Sequence, residues 1–197
     1  MRQAVSRATA VGVLALGGVL VGSVGDVTGE TPAVRLDQRI ARGKDLVWSI
    51  GCNDCHTPKK LGPQGPELDT ARLLSGHRQD AGLPKPPELP AGPWGIVTNM
   101  ELTAWSGPWG ISYAFNLTPD ENTGLGIWTE QMFMRALRTG RHMGASRQIL
   151  PPMPWEVYGR LGDEDLKSIY AYLRSIPPVS NRVPEPVIAD NPVIADN

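Results

Sequence analysis

The sequence predicts a mostly α-helical single domain with one large irregular insertion. Three stretches carry apolar residues at helical spacing, at 36–50, 129–139 and 163–176. Between the first two, closely spaced prolines and glycines exclude a further long helix. A chain of 197 residues, 41% of them hydrophobic, can form one domain with a sizeable core. Its 19 basic and 20 acidic residues are nearly balanced, so nucleic-acid binding is not predicted.

The N-terminal residues 1–25 are predicted to be a signal peptide or an N-terminal membrane anchor. Arg2 and Arg7 precede an uncharged stretch, residues 8–25, that ends in small residues. This stretch is close to the roughly 20 residues that a membrane-spanning helix needs, so the anchor stays an alternative. Either reading predicts an exported, periplasmic protein, with residues 26–34 as a polar linker.

The first and last helices are predicted to cross. Gly43 lies on the apolar face of the helix at 36–50, where a glycine suggests that another helix comes close. Tyr170, on the apolar stripe of the helix at 163–176, is the predicted neighbour of Gly43. The middle helix begins at its cap Thr129 and ends before Gly140.

A Cys-x-x-Cys-His motif, Cys52, Cys55 and His56, follows the first helix directly. Thiols three positions apart lie on one face of a helical turn, where they can add to the two vinyl groups of a porphyrin. The histidine is then placed to bind the iron. The motif therefore predicts one covalently attached haem c. A carbonyl of the Gly62–Pro63 turn is the predicted acceptor for the other N–H of His56.

Two other uses of these cysteines are less favoured by the sequence. A thioredoxin-like redox pair usually follows a strand, and no strand-like run precedes Cys52. A zinc site would need His77 or His142 as a fourth ligand beside Cys52, Cys55 and His56, and the spacing fits no common zinc module.

Met153 is the predicted sixth ligand of the iron, because Pro152 and Pro154 restrict the backbone on both sides of its thioether. Met143 is the second candidate. The candidates to pair with haem carboxylates are Arg138, Arg141 and Arg147.

The boundaries of the domain, its insertion and the tail are predicted from composition. Residues 35–180 form the predicted domain, and an irregular insertion at about 61–115 is predicted to cover part of a haem face. Residues 181–197 are rich in proline and are predicted to be a disordered tail.

The assembled pattern resembles class I cytochromes c, and more closely the single-haem bacterial cytochromes related to haem subunits of alcohol and aldehyde dehydrogenases. The blocks that carry this likeness are Gly-Cys-Asn-Asp-Cys-His-Thr-Pro at 51–58, Leu-Ser-Gly-His at 74–77, Asn-Leu-Thr-Pro-Asp at 116–120, Arg-Ala-Leu-Arg-Thr-Gly-Arg-His at 135–142 and Leu-Pro-Pro-Met-Pro-Trp at 150–155.

The resemblance implies a cytochrome c fold, with N- and C-terminal helices crossing around a haem held by Cys52, Cys55, His56 and Met153. It implies a periplasmic carrier of single electrons between redox protein partners, not an enzyme. Two alternatives stay open: an electron-transfer subunit of a membrane-associated dehydrogenase or respiratory complex, and a haem oxidoreductase with a displaceable Met153. The dehydrogenase subunits carry three haem motifs, whereas this sequence has one.

Overall fold

The computed structural model describes residues 32–88 and 95–190. Within these ranges the α-helices are α1 (Pro32–Ser49), α2 (Cys52–His56), α3 (Glu130–Thr139), α4 (Trp155–Tyr158) and α5 (Asp163–Ser175). The strands are β1 (Lys59–Gly62), β2 (Gly65–Leu68), β3 (Val97–Thr98), β4 (Ala104–Gly107), β5 (Gly110–Tyr113) and β6 (Val187–Ile188). Short 3₁₀ turns lie at Thr70–Arg72 and His142–Gly144.

The ends of α3 are set by local capping. The Thr129 hydroxyl accepts a hydrogen bond from the Met132 backbone N–H at 3.2 Å, and Gly140 follows the helix in the left-handed conformation with φ 64°. Both are standard ways to satisfy the unpaired backbone groups of a helix end. The predicted boundaries of this helix are confirmed.

Helices α1 and α5 pack against each other at Gly43. A Cβ atom at Gly43 would overlap the backbone carbonyl oxygen of Ser168 and lie 2.9 Å from the Cβ of Tyr172. The predicted close approach is therefore confirmed, but Tyr170 as its partner is wrong. Residues four apart share a helix face, which turns 168 and 172 toward α1. The Tyr170 hydroxyl instead donates to the Trp128 carbonyl at 2.6 Å.

The buried core joins these helices to the segment before α3. It consists of Leu46, Val47, Leu74, Leu125, Trp128, Phe133, Ala136, Leu137, Leu166, Ile169, Tyr172 and Leu173. Most of these residues lie on the apolar faces of α1, α3 and α5, as their helical spacing requires.

The insertion contains strands where the sequence predicted irregular structure. β1 and β2 form an antiparallel hairpin in what was predicted to be a loop. β3, β4, β5 and β6 form an antiparallel sheet in that order. These strands have two to four residues each, which is too short for an alternating pattern to identify them. The described part of the chain thus combines helix and sheet, and the cytochrome c fold remains a prediction.

The segment at 181–190, predicted to belong to a disordered tail, has defined contacts. Asn181 is fully buried, and β6 pairs with β5 through Ile188 opposite Gly110 and Val187 opposite Ile111. Proline-rich composition did not reveal these contacts, because they depend on partners far away in the chain. Residues 191–197 lie outside the described residues.

The predicted signal peptide or anchor, residues 1–25, also lies outside the described residues, as does most of the predicted linker. No helix within 32–88 and 95–190 is long and apolar enough to cross a membrane.

Candidate functional site

A largely apolar cleft lies between the helices and the insertion. Its volume is about 1280 Å³, including the part open to solvent. Cys52, Cys55 and His56 line it from α2, and Met153 lines it from the loop before α4. The structure therefore brings together all four residues that the sequence nominated for one site. Their chemical roles remain predictions.

Helix α2 presents the two thiols and the imidazole on one short turn. It can start directly after α1 because Gly51 adopts a left-handed conformation with φ 78°, which a residue with a side chain rarely adopts. The Gly51 carbonyl accepts a hydrogen bond from the Asp54 N–H at 3.0 Å, which closes the turn. Neither Cys52 nor Cys55 forms a disulfide.

The imidazole of His56 is buried and held in one orientation. Its Nδ1 lies 2.7 Å from the carbonyl oxygen of Phe115, so Nδ1 carries the proton and donates to that oxygen. Nε2 then carries a free electron pair, with which it can bind a metal. Burial lowers the pKa of His56, which favours the neutral imidazole that metal binding requires.

The predicted acceptor for His56, a carbonyl at Gly62–Pro63, is wrong. Gly62 is the last residue of β1 and Pro63 lies in the turn that follows, whereas the observed acceptor, Phe115, follows β5. The prediction assumed a local partner, and the actual one is 59 residues away along the chain.

The segment around Met153 is fixed from both sides. The Ser112 hydroxyl of β5 donates to the Pro151 carbonyl at 2.6 Å, and the Met153 carbonyl accepts from the Trp155 N–H at 2.9 Å. The Trp155 ring packs on Gly140, where a Cβ atom would lie 2.6 Å from its Cζ2. The backbone on both sides of Met153 is thereby fixed by β5 and by the end of α3, and Met153 lines the cleft from it.

Met143, the alternative ligand, packs against the helical core and is not among the described residues that line the cleft. Of the two candidate methionines, the structure thus places Met153 where a ligand would be needed.

Tyr158 connects the two halves of the site. Its hydroxyl donates to the Ile50 carbonyl at 2.9 Å, which joins α4 to the residue just before Gly51. Its ring also lines the cleft. Nothing local in the sequence marks Tyr158, because its hydrogen-bond partner is 108 residues away along the chain.

No family model matches the chain. It is 33% identical over 147 residues to the fructose dehydrogenase cytochrome subunit of Gluconobacter japonicus, and 37% identical over 145 residues to a nicotinate dehydrogenase subunit of Pseudomonas putida. It is 30% identical over 152 residues to the cytochrome c subunit of the quinone alcohol dehydrogenase of Gluconacetobacter polyoxogenes.

The chain is related to the cytochrome c subunits of dehydrogenases. The three matches cover 74%, 74% and 76% of this chain, so the likeness extends over most of the described domain. They cover 23%, 9% and 27% of the relatives, in the same order. The chain therefore spans less than a third of the length of each of these proteins.

The cleft suits an apolar group that carries a carboxylate at one edge. Its lining is mostly aromatic and aliphatic, and among the described lining residues Arg147 is the one permanent charge. His142 also lines it, with ring centroids 5.0 Å from those of Phe115 and of Trp128. The buried Nε2 of His142 has no hydrogen-bond partner among the described residues. A carboxylate is the kind of group to which both His142 and Arg147 could donate a hydrogen bond.

From the sequence, His142 was a candidate only for a zinc site, and Arg147 was one of three arginines that could pair with haem carboxylates. Arg138 instead donates to the Leu161 carbonyl and pairs with Asp163, and Arg141 donates to the Ser146 carbonyl. Neither Arg138 nor Arg141 belongs to the described lining of the cleft. Of the three arginines, Arg147 alone is placed to meet a bound group.

The two alternative uses of the cysteines find no support in the geometry. Within residues 32–88 and 95–190, no group of three or more His, Cys, Asp or Glu side chains could hold a metal ion. His77 is buried away from the cleft, and its Nδ1 lies 2.9 Å from the Thr103 hydroxyl. Burial raises the pKa of the Cys52 thiol to about 12, the reverse of the low pKa that activates a redox cysteine.

Proposed function

We propose that this chain holds one haem c and transfers single electrons as the haem-bearing part of a membrane-associated dehydrogenase. The observation that carries the proposal is that Cys52, Cys55, His56 and Met153, from two distant segments, line one apolar cleft. When bound there, haem c supplies a one-electron ferric/ferrous couple.

Two of the four residues would attach the haem covalently, and the other two would bind its iron. Cys52 and Cys55 would hold the haem covalently, and His56 Nε2 and the Met153 thioether would bind its iron. With two protein side chains on the iron, no position there would remain for a substrate, as an electron carrier requires. The apolar lining would limit the contact of a bound haem with water and so would influence its reduction potential.

A dehydrogenase partner is favoured over a freely diffusing role because relatives named as cytochrome subunits belong to fructose and alcohol dehydrogenases. A free periplasmic carrier remains the second candidate, since the sequence has one haem motif. Affinity purification from the native membrane fraction separates the two. Recovery of a larger catalytic chain in constant ratio supports the subunit, and recovery of the cytochrome alone supports the carrier.

Absorption spectra of the protein, produced with haem c maturation in a periplasm, test the proposal. We expect a Soret band, a sharp α-band on reduction, uptake of one electron per haem and no rapid binding of carbon monoxide. Cys52→Ser/Cys55→Ser should lose covalent haem on a denaturing gel. The absence of a Soret band in the unaltered protein would contradict the haem assignment. A high-spin reduced form that binds carbon monoxide rapidly would instead support the haem oxidoreductase.

Arg147→Gln is expected to lower the reduction potential of the haem protein. A cation beside a haem carboxylate favours the reduced iron, and Arg147 is only loosely paired, at 3.6 Å, with the highly exposed Glu185. Loss of the charge should lower the potential by roughly 60 mV, the one-electron equivalent of about 1.4 kcal/mol. Redox titration provides the measurement. Arg141→Gln is the control, because Arg141 lies on the same loop outside the cleft lining; equal shifts in both variants would disprove a specific role for Arg147.

A further inference from the structure

Two backbone segments hold His56 from outside its own helix. The Gly76 N–H donates to the His56 carbonyl at 2.7 Å, and the His56 ring donates to the Phe115 carbonyl at 2.7 Å. The two segments are also bonded to each other, through His77 N–H to the Ala114 carbonyl at 2.9 Å. The position of His56 therefore depends on how these two segments are fixed.

Gly76 lies directly against the carbonyl that His56 uses. A Cβ atom at Gly76 would overlap the Ala114 carbonyl oxygen and lie 2.7 Å from the Phe115 carbonyl oxygen. Because there is no space between them, a displacement of Gly76 toward Phe115 would also displace the Phe115 acceptor.

Asn181 lies in the C-terminal segment, residues 179–190, which follows α5. Its side chain holds the backbone on both sides of Gly76. Its side chain is fully buried, and its Nδ2 donates to the carbonyls of Ser75 at 2.7 Å and His77 at 2.8 Å. Its Oδ1 accepts from the Gln79 N–H at 2.9 Å. One amide group thus makes three hydrogen bonds to a five-residue stretch that surrounds Gly76.

The same C-terminal segment also holds the residue after Phe115. Asn116 is fully buried, and its Nδ2 donates to the Val179 carbonyl at 2.8 Å. Val179 N–H donates to the Thr118 hydroxyl at 3.0 Å. Residues 179–181 therefore connect the Gly76 segment to the Phe115 segment, the two that hold His56.

We propose that Asn181 is a positioning residue for the iron-binding histidine, acting through Gly76 and the Phe115 carbonyl. The hydrogen bond at the second nitrogen of a ligating histidine orients its ring and strengthens it as a donor. Asn181 is not among the described residues that line the cleft, so it acts on the site only through this backbone. The inference rests on the proposed function, because it concerns a histidine that binds haem iron.

Redox titration of the full, haem-loaded chain tests the role of Asn181. Asn181→Ala removes all three bonds and, unlike an acidic replacement, adds no charge that would itself shift the potential. If the Phe115 carbonyl is held less firmly, its hydrogen bond with the His56 ring weakens. His56 is then a weaker donor to ferric iron, so the reduction potential of the haem should rise. We expect a roughly tenfold change in the ferric/ferrous ratio at fixed potential, which equals about 59 mV for one electron.

Two further variants separate positioning from general stability. Val47→Ala removes buried volume from α1 without touching this network, so it should lower the melting temperature and leave the potential unchanged. Gln79→Ala removes only the bond that its side chain accepts from the Arg182 N–H, at 2.9 Å, and should give a smaller shift in the same direction. Because Gln79 is exposed, this variant still reports on the segment if Asn181→Ala does not fold.

Failure of the Asn181 inference and failure of the proposed haem function give different results. A lowered melting temperature with an unchanged potential in the Asn181 and Gln79 variants would make the segment purely structural and overturn the inference. An unaltered protein that binds no haem would refute the proposed function itself, before any variant is compared.

Discussion

Met153→Ala is expected to abolish the weak near-infrared band of the oxidised haem protein and to lower its reduction potential. That band reports a methionine–iron bond, and a thioether ligand raises the potential of a haem relative to a second histidine. Met153 lines the cleft in a segment fixed by Ser112 on one side and by Trp155 on the other. Alanine at this position keeps the backbone and removes the sulfur, so the sixth ligand is lost.

Met143→Ala is the matched control for this experiment. Met143 is the same residue type on the same loop, but it packs against the helical core instead of lining the cleft. Its replacement should keep the near-infrared band and the potential. A band that survives Met153→Ala, or that disappears in Met143→Ala, would move the ligand to another residue and contradict the assignment.

The parts of the site that the sequence predicted are those encoded by a few adjacent residues. The Cys-x-x-Cys-His spacing placed Cys52, Cys55 and His56 on one turn, which the structure shows as α2. The cap at Thr129 and the stop at Gly140 are likewise local signals, and both ends of α3 were correct. Met153 was selected because a proline flanks it on each side; the structure places it at the cleft, and its role as a ligand stays a prediction.

The parts that the sequence did not predict depend on partners far along the chain. The Phe115 carbonyl lies 59 residues from His56, and the carbonyls that Asn181 holds lie more than 100 residues from it. A backbone carbonyl carries no side-chain signal, so no pattern could have selected Phe115. The same reasoning explains why the tail was misjudged: a buried asparagine and a two-residue strand look like loop composition until their partners are known.

Gly43 shows where a local pattern did predict a long-range contact. A glycine on an apolar helix face costs helix propensity, so its presence indicated a close approach by another helix. The pattern could not specify which residue would approach, and the choice of Tyr170 instead of Ser168 and Tyr172 was an error of helical phase.

Gly43→Ala is therefore expected to destabilise the protein, although alanine is the better helix former by about 1 kcal/mol. The new Cβ would overlap the Ser168 carbonyl oxygen, which belongs to the α5 backbone and cannot rotate away as a side chain could. Helices α1 and α5 must move apart, and overpacking of this kind typically costs about 1–3 kcal/mol. Ile169 and Leu173 of α5 line the cleft, so the displacement should also disturb the site.

Urea unfolding measures this cost as a lower midpoint with an unchanged m-value. Gly95→Ala is the control, because a Cβ atom there would meet no atom of the described residues within 4 Å, apart from those of its chain neighbours. It introduces the same methyl group at an open position, so its midpoint should stay close to that of the unaltered protein. If Gly43→Ala were as stable as Gly95→Ala, the two helices could not be in backbone contact at Gly43. A selective loss at Gly43 would instead show that the α1–α5 crossing, which brings Ile169 and Leu173 to the cleft lining, depends on the absence of a side chain at Gly43.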